Sequence, residues 1–297
     1  MRVGFIGLGR MGSGMAGRIA QAGHDLVVYD VVADSVARVA AMGARGARSV
    51  AEVCAGREVV VTMLAEDAAV QAVALDPGGI RDALPAGSIH LAMGTYGIGT
   101  IRALGAAHAA AGQRLVAAPV LGRPDLAASG QLGIVAAGPE EAVAQCEPLF
   151  QVLGRLTFHA GSEPEAASAI KLANNLVLGC AIQAMSEAFS LVRKYDVDPQ
   201  VLYDVLTEGL FSAPAYRVYG RIIVDEAYDR AGSTIQLNLK DANLILDAGG
   251  IAHVPLPSGN TFRDRLLGAI AHGDAAKDVA ALALEQARAC GLPARRP

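Results

Sequence analysis

We predict a two-domain fold: an α/β domain built on a doubly wound parallel sheet, followed by an all-α domain, with a long helix joining the two. Apolar runs with β-branched residues recur through the first half of the chain, and helix-like segments lie between several of them. From residue 162 onward strand signals nearly vanish. Alternating strands and helices are typical of a parallel sheet covered on both faces. The expected domains are therefore residues 1–162 and 163–297.

The first domain is predicted from the order of its segments. Continuous apolar strands are expected where a sheet is buried on both sides. Met11–Ala22 and Ser35–Met42 are predicted helices that lie between strands. The predicted strands are Val3–Ile6, Leu26–Tyr29, Val59–Met63, Ile89–Met93, Leu115–Ala118 and Leu132–Ala136.

The joining helix is predicted over about residues 163–195. Ser162 and Glu165 have the spacing of a capping box, and Pro164 falls in the first turn, where proline is tolerated. No further proline occurs before Pro199. At 1.5 Å per residue this helix would be about 45–50 Å long.

Composition excludes several classes of function. The chain has 297 residues, 53% of them hydrophobic, and a formal net charge of −4 without a dense Lys/Arg cluster, so nucleic-acid binding lacks its main electrostatic contribution. The four cysteines lack metal-type spacing and the six histidines are scattered, so no metal is expected and the histidines should lie at the surface or in local hydrogen bonds.

No export signal is apparent, because glycines occur too early for a signal-peptide core, and a cytoplasmic location is expected. Lys171, Asn174, Asn175 and Gln183 make the long helix a costly membrane span, so we expect a buried helix and no membrane partner.

A glycine-rich turn is the strongest local motif. Gly7, Gly9 and Gly12 form G-x-G-x-x-G after an apolar strand and at the start of a helix, and the next strand ends in Asp30, 18 residues after Gly12. This context indicates a Rossmann dinucleotide-binding turn, although a plain β-α-β turn is the alternative. Gly7 permits the tight turn, Gly9 lets a pyrophosphate approach, and Gly12 lets helix and strand pack closely. The whole turn, with Leu8, Arg10 and Met11, is the predicted cofactor site.

Asp30 favours NAD over NADP. Its carboxylate can accept hydrogen bonds from the ribose 2′-hydroxyl and would repel a 2′-phosphate. No arginine follows Asp30 directly, although Arg38 or Arg45 could reach a phosphate.

Lys171 is the only formal charge between Glu165 and Glu187. It could extend its stem across apolar surface to water, form a buried ion pair, or act in catalysis. Lys171 and Asn175 are four residues apart and share one helix face. A lysine in a low-polarity cleft has a lowered pKa and can exchange the proton that accompanies hydride transfer, while Asn175 orients the same oxygen. We therefore predict that both residues are catalytic.

The chain resembles the β-hydroxyacid dehydrogenase family, of the 3-hydroxyisobutyrate dehydrogenase type, along essentially its whole length. "GFIGLGRMGSGMA" and "VVYDVVADS" are similar to its cofactor-binding segments, and "VTMLAED" to a strand-end loop that touches the cofactor. "IKLANN" resembles its catalytic helix and "LKDANLIL" its late K-D motif. The resemblance implies that Leu64, Ala65 and Thr95 line the nicotinamide side and that Lys240 lies near cofactor and substrate. It also implies a homodimer or homotetramer interlocked through the long helix. A solvated charge pair is the alternative for Lys240 and Asp241.

The substrate loop departs from the family. Where the family tends to have D-A-P-V-S-G-G, this chain has "AAPVLGR", so Leu121 replaces a serine and Arg123 a glycine. Gly122 and Arg123 are the predicted substrate contacts here; Arg123 could clamp an acidic group or face solvent. A second departure places Gly94 where the family tends to have serine.

Three functions remain open. The leading one is an oxidoreductase that transfers hydride between NAD and a small β-hydroxy acid or its semialdehyde, with Lys171 as general acid and base. The stretch "GSEPEAASAI" also resembles imine reductases of the same superfamily, so a reductase of imines or non-carboxylate carbonyls is the alternative. The third is a cofactor-binding interaction protein without turnover, against which Lys171 argues.

Overall fold

The computed structural model describes residues 1–293 of the chain. The chain divides into two compact units, Met1–Lys171 and Leu172–Pro297. We call these the first and second unit. The division falls within the long helix, past the residue 162 at which the sequence pattern changes.

A six-stranded parallel sheet forms the centre of the first unit, in the order β3-β2-β1-β4-β5-β6. The chain starts at the middle strand, winds outward to β3, and returns to the other side of β1 at β4. This reversal confirms the doubly wound fold and makes the carboxyl ends of β1 and β4 the expected ligand position. The strands are β1 Arg2–Ile6, β2 Asp25–Tyr29, β3 Arg45–Gly46, β4 Val59–Thr62, β5 Ile89–Ala92 and β6 Arg114–Ala117.

Helices cover both faces of this sheet. Successive strand residues point to opposite faces, and Val27 and Val28 accordingly lie in two different apolar clusters, each fully buried. The helices of the first unit are α1 Arg10–Gln21, α2 Ala33–Ala40, α3 Val50–Cys54, α4 Asp67–Leu75, α5 Ile80–Ala83, α6 Ile98–Ala110, α7 Pro124–Ser129 and α8 Glu140–Leu153.

A second, three-stranded sheet holds the sixth predicted strand. β7 (Val120–Leu121) pairs antiparallel with β8 (Leu132–Ala136), and β8 pairs parallel with β9 (Gly154–His159). The prediction that Leu132–Ala136 continues the strand–helix alternation of the parallel sheet is therefore wrong. The short connection from β7 through α7 reverses the direction of the chain, so that β7 and β8 pair antiparallel. A parallel pair would require a longer crossover connection.

The long helix α9 covers Pro164–Lys194 and has 31 residues, which confirms the predicted joining helix. Ser162 and Glu165 do not form the predicted capping box. The Glu165 carboxylate accepts a 3.0 Å hydrogen bond from Arg102 Nε of α6, and the Ser162 hydroxyl bonds to Glu163. A charged guanidinium is a stronger donor than the backbone N–H that a capping box would offer.

Among the described residues of the second unit, the named secondary-structure elements are all helices, which confirms the all-α prediction. Ile182 and Phe189 of α9 pack with Ile235, Phe262 and Leu266 in its core. Its further helices are α10 Pro199–Glu208, α11 Pro214–Val224, α12 Ile235–Ala252, α13 Pro257–Ala271, a 3-10 turn at Val279–Ala281, and α14 Leu282–Ala289.

By length and composition, α9 also meets the criteria for a membrane span: its most apolar 18-residue window has a mean hydropathy of 1.4. Of that window, 39% is buried within the chain. A core helix meets the same criteria, and the burial of Ile182 and Phe189 in the apolar core is what a core helix requires.

Candidate active site

The glycine turn follows β1 and opens α1. Gly7 has φ +97°, and a Cβ there would lie 2.4 Å from the Met63 carbonyl oxygen. A Cβ on Gly12 would lie 1.9 Å from the Gly7 carbonyl oxygen. At Gly9, by contrast, no heavy atom lies within 4 Å of the Cβ position. Close packing within the protein thus requires glycine at positions 7 and 12, whereas Gly9 leaves open space beside the turn.

Asp30 follows β2 and lies against this turn. Its Oδ2 accepts a 2.5 Å hydrogen bond from Leu8 N, and its Oδ1 accepts one of 2.8 Å from Val32 N. Two backbone N–H donors therefore hold the carboxylate, half-buried, at the edge of the sheet. An anion fixed there favours hydroxyl donors and disfavours a phosphate.

These residues fit a dinucleotide. Gly9 is the N-cap of α1, and the N–H groups of a helix's first turn have no partner within the helix itself. Such an N-terminus attracts a pyrophosphate. The segment from Leu8 to Met11, together with Asp30, is what would hold it.

Leu64, Ala65 and Thr95 follow β4 and β5 at the same edge of the sheet. The Cβ position of Gly7 is 2.8 Å from Leu64 Cδ2, so Leu64 contacts the glycine turn. Leu64 and Thr95 are half-buried and Ala65 is exposed. The structure thus brings this predicted group together with the turn.

Gly122 and Arg123 lie between β7 and α7. Gly122 has φ +148°, and a Cβ there would lie 2.8 Å from Leu132 Cδ2, so glycine is required. Arg123 is half-buried at the start of α7. This helix packs on α1, since a Cβ on Gly14 would lie 3.0 Å from Ala128 N. The predicted substrate loop is therefore built onto the helix that carries the glycine turn.

The polar residues of α9 and α12 form a separate group. Asn175 Nδ2 donates a 2.8 Å hydrogen bond to Asp241 Oδ2, and Lys240 Nζ lies 2.8 Å from Asp241 Oδ1. The Lys240 and Asp241 side chains are only 14% and 13% exposed, so the pair is not a solvated surface pair. Lys171 is half-buried one turn before Asn175 and is the last residue of the first unit.

Other chemistry is not supported by the described residues. Burial raises the pKa of the Cys54 and Cys146 thiols to about 12, so neither is a thiolate nucleophile at neutral pH. Residues 1–293 contain no group of three His, Cys, Asp or Glu side chains placed to hold a metal ion.

The sequence did not predict the polar residues behind the Leu64 loop. The Tyr96 hydroxyl is within 3.1 Å of Leu64 N, and the Asp67 carboxylate accepts hydrogen bonds from Gly97 N and Thr100 Oγ1. A usable signal was present: Thr62 and His90 interrupt otherwise apolar strands. A polar side chain in a strand buried on both faces needs a buried partner.

Comparison with known proteins agrees with this geometry. The family model described as the NAD binding domain of 6-phosphogluconate dehydrogenase matches residues 2–161. That described as NAD-binding of NADP-dependent 3-hydroxyisobutyrate dehydrogenase matches residues 166–285.

Known relatives match this chain over most of its length. The chain is 35% identical to the Bacillus subtilis oxidoreductase YfjR over 95% of this chain and 98% of the relative. It is 30% identical to 3-hydroxyisobutyrate dehydrogenase of Pseudomonas aeruginosa over 88% and 90% of the two chains. The solved 3-hydroxyisobutyrate dehydrogenase of Mycobacterium tuberculosis, studied with L-serine, superposes with a TM-score of 0.86 at 26% identity, covering 95% of this chain and 97% of the other. With a dinucleotide-type turn, a Lys171–Asn175 helix and matches over both halves, the chain belongs to the β-hydroxyacid dehydrogenase family.

Proposed function

We propose that the protein is an NAD-dependent dehydrogenase or reductase of a small β-hydroxy acid or its semialdehyde. One observation carries the proposal: Asn175, on the same helix face as Lys171, is tied through the buried Asp241 to Lys240. A helix with a purely structural role does not require this buried cluster of an amide, a carboxylate and an ammonium group. A helix that handles a substrate oxygen does, because each donor must be held in a fixed direction.

When bound, the nicotinamide supplies the two-electron chemistry, as acceptor or donor of hydride at the substrate carbon. The residues of the chain supply the rest. Lys171 removes the hydroxyl proton during oxidation and returns it during reduction. Asn175 donates one N–H to Asp241 and directs the other to the substrate oxygen. Arg123 pairs with the substrate carboxylate.

Lys171→Ala tests the proposal. Turnover is expected to fall by about two to four orders of magnitude, as for loss of a general acid–base group, while NADH binding stays within about twofold of wild type. Lys194→Ala, which removes an exposed lysine at the end of the same helix, is the matched control and should keep wild-type turnover. Wild-type turnover in Lys171→Ala would refute the catalytic role.

We infer that NAD is preferred to NADP. Asp30 is held by two backbone donors where a ribose 2′-hydroxyl is expected. The two arginines that could receive a phosphate have other partners: Arg38 bonds to the Ser35 hydroxyl at 2.8 Å, and Arg45 pairs with Glu52 at 3.2 Å. Asp30→Asn should lower the ratio of kcat/KM for NAD over NADP by about tenfold, since it removes one charge repulsion. A wild-type preference for NADP would contradict the inference.

A second candidate is a reductase of imines or non-carboxylate carbonyls. Leu121, half-buried and packed on Gly133, favours it because it replaces a serine hydroxyl in the substrate loop by an apolar group. Apolar cyclic imines offered with NADPH decide the matter. Oxidation of the cofactor supports this candidate, and no oxidation, with activity on β-hydroxy acids, removes it.

We also propose that the protein works in the cytoplasm as a homodimer or homotetramer. The second unit exposes large apolar side chains: Val177 is 70% exposed, Val205 65% and Leu210 96%. Side chains of this kind are expected to be covered in an assembly. Light scattering coupled to size exclusion gives the mass directly, and a monomer at micromolar concentration would contradict the proposal.

A further inference from the structure

A chain of buried hydrogen bonds runs through the first unit behind the Leu64 loop. Leu64 N donates to the Tyr96 hydroxyl at 3.1 Å, and the Thr62 side chain lies beside that hydroxyl. Thr62 Oγ1 lies 2.9 Å from His90 Nε2, and His90 Nδ1 lies 2.8 Å from His108 Nε2. Tyr96 is 1% exposed, and Thr62, His90 and His108 are fully buried.

Gln113, at the far end of this series of hydrogen bonds, fixes which atom is the donor in each bond. Gln113 Nε2 donates to the carbonyl oxygens of Arg81 and Leu84, so its Oε1 faces His108 and accepts from Nδ1 at 2.6 Å. Burial lowers the pKa of His90 and of His108, so both rings are neutral. His108 Nε2 then accepts from His90 Nδ1–H, and His90 Nε2 accepts from Thr62.

The same logic reaches the loop. Because the Thr62 proton is donated to His90, the Thr62 oxygen can only accept, and the Tyr96 O–H is the donor that lies beside it. The Tyr96 oxygen can then only accept from Leu64 N–H. Each buried donor thus has an acceptor, and the series of hydrogen bonds ends at the backbone amide of Leu64, in the loop that follows β4.

A second contact ties the same loop. Asp67 Oδ2 accepts from Gly97 N at 3.0 Å and from Thr100 Oγ1 at 2.6 Å. The segment after β4 is therefore fastened to the segment after β5 at two points, Leu64 and Asp67.

Gly94 shows that this arrangement differs from the family pattern. A Cβ on Gly94 would lie 2.4 Å from the Tyr96 ring and hydroxyl, and 2.7 Å from the Leu64 carbonyl oxygen. The Tyr96 ring thus occupies the room that a serine at this position would take. Glycine at position 94 therefore leaves the room that the Tyr96 ring fills.

We propose that Tyr96 is a positioning residue for the dinucleotide: its hydroxyl holds the Leu64–Ala65 loop in the shape that receives the nicotinamide half, and Thr62, His90, His108 and Gln113 hold the hydroxyl. This proposal rests on the proposed dinucleotide function of the glycine turn, which Leu64 contacts. Tyr96 acts through Leu64 and exchanges no proton with substrate.

The test compares Tyr96→Phe and Thr62→Val with Thr207→Val. The last removes a buried hydroxyl of the second unit that bonds to Tyr203 O at 2.9 Å, and so controls for the loss of any buried hydrogen bond. Two quantities are measured: the Kd of NADH from its own fluorescence, and hydrogen exchange of the peptide that contains Leu64. The chain has no tryptophan, so the NADH signal contains no energy transfer from that residue type.

Tyr96→Phe should weaken NADH binding about fivefold to tenfold and speed exchange at Leu64, in line with the loss of one buried hydrogen bond. Thr62→Val should change both quantities in the same direction by less, and it decides the matter if Tyr96→Phe does not fold. Thr207→Val should leave both unchanged. Wild-type NADH affinity in both first-unit variants would overturn the proposal, even if exchange at Leu64 rises. Failure of the wild type to bind NADH would instead overturn the proposed function.

Discussion

The side-chain amide of Asn175 donates a 2.8 Å hydrogen bond to the carboxylate of Asp241, 66 residues later in the chain. The other carboxylate oxygen lies 2.8 Å from Lys240 Nζ. One buried carboxylate therefore orients an amide on α9 and balances an ammonium on α12. This fixes which end of the Asn175 amide is the donor, and so which atom it can offer to a substrate oxygen.

Asp241→Asn should lower kcat while the protein stays folded. The variant keeps the shape but loses the charge, so Asn175 loses its fixed direction and the Lys240 charge is left without its counter-ion. A hydrogen bond to a charged group contributes about 1.5–3 kcal/mol, which corresponds to about a tenfold to hundredfold loss of kcat. Steady-state kinetics measure this. Asp247→Asn, on the same helix, is the control; a wild-type kcat in Asp241→Asn would show that Asn175 does not need the carboxylate.

Gly9→Ala should weaken dinucleotide binding, whereas Gly12→Ala should lower folding stability. Gly9 has φ −65° and open space at its Cβ position, so Gly9→Ala should keep the melting temperature and weaken dinucleotide binding. Gly12→Ala places a methyl 1.9 Å from the Gly7 carbonyl oxygen and should cost about 1–3 kcal/mol of folding stability. Calorimetry and NADH titration separate the two. Equal melting temperatures for both variants would contradict the role given to Gly12.

Arg123→Gln should raise KM for acidic substrates with little change in kcat. The half-buried guanidinium is expected to bind a carboxylate, and a charge-assisted bond contributes about 1.5–3 kcal/mol. KM should therefore rise at least about tenfold. Arg155→Gln, which changes an exposed residue of β9, should leave KM unaltered. If Arg123→Gln behaves in the same way, the carboxylate is bound elsewhere.

Stability should fall as the pH drops below about 6.5. Burial, and then the neighbouring His108, lowers the pKa of His90; burial chiefly lowers that of His108. The unfolded chain therefore binds protons that the folded chain does not, and each histidine removes up to about 1.4 kcal/mol of stability per pH unit below its unfolded pKa.

Urea unfolding between pH 8 and pH 5.5 measures this dependence. His90→Asn, which removes one of the two buried rings, should show a shallower loss of unfolding free energy with falling pH. His159→Gln, which changes an exposed ring on β9, should show the wild-type slope. Parallel slopes for all three proteins would mean that the buried pair is protonated in the folded state.

Much of the fold and part of the site were predictable from local pattern. Continuous apolar segments locate the strands because a sheet buried on both faces admits little else. The spacing of Gly7, Gly9 and Gly12 locates the turn, because only glycine tolerates the contacts that the structure shows at Gly7 and Gly12. A shared helix face places Asn175 one turn after Lys171.

Other features depend on residues that are distant in sequence. The capping box fails because Arg102, 63 residues before Glu165, bonds its carboxylate. The expectation that histidines are at the surface or in local bonds fails for His90 and His108, since the folded sheet brings them into one buried chain. Leu132–Ala136 leaves the parallel sheet because β7 pairs with it from the other direction.

The sequence by itself thus determined the fold class, the glycine turn, the carboxylate after β2 and the position of Lys171. These are set by interactions within one strand–turn–helix segment or one helix face. The tertiary structure alone decided that Asp241 orients Asn175 and that Tyr96 holds Leu64. Such contacts join side chains from separate elements, and their partners are selected by packing and burial, which no local spacing records.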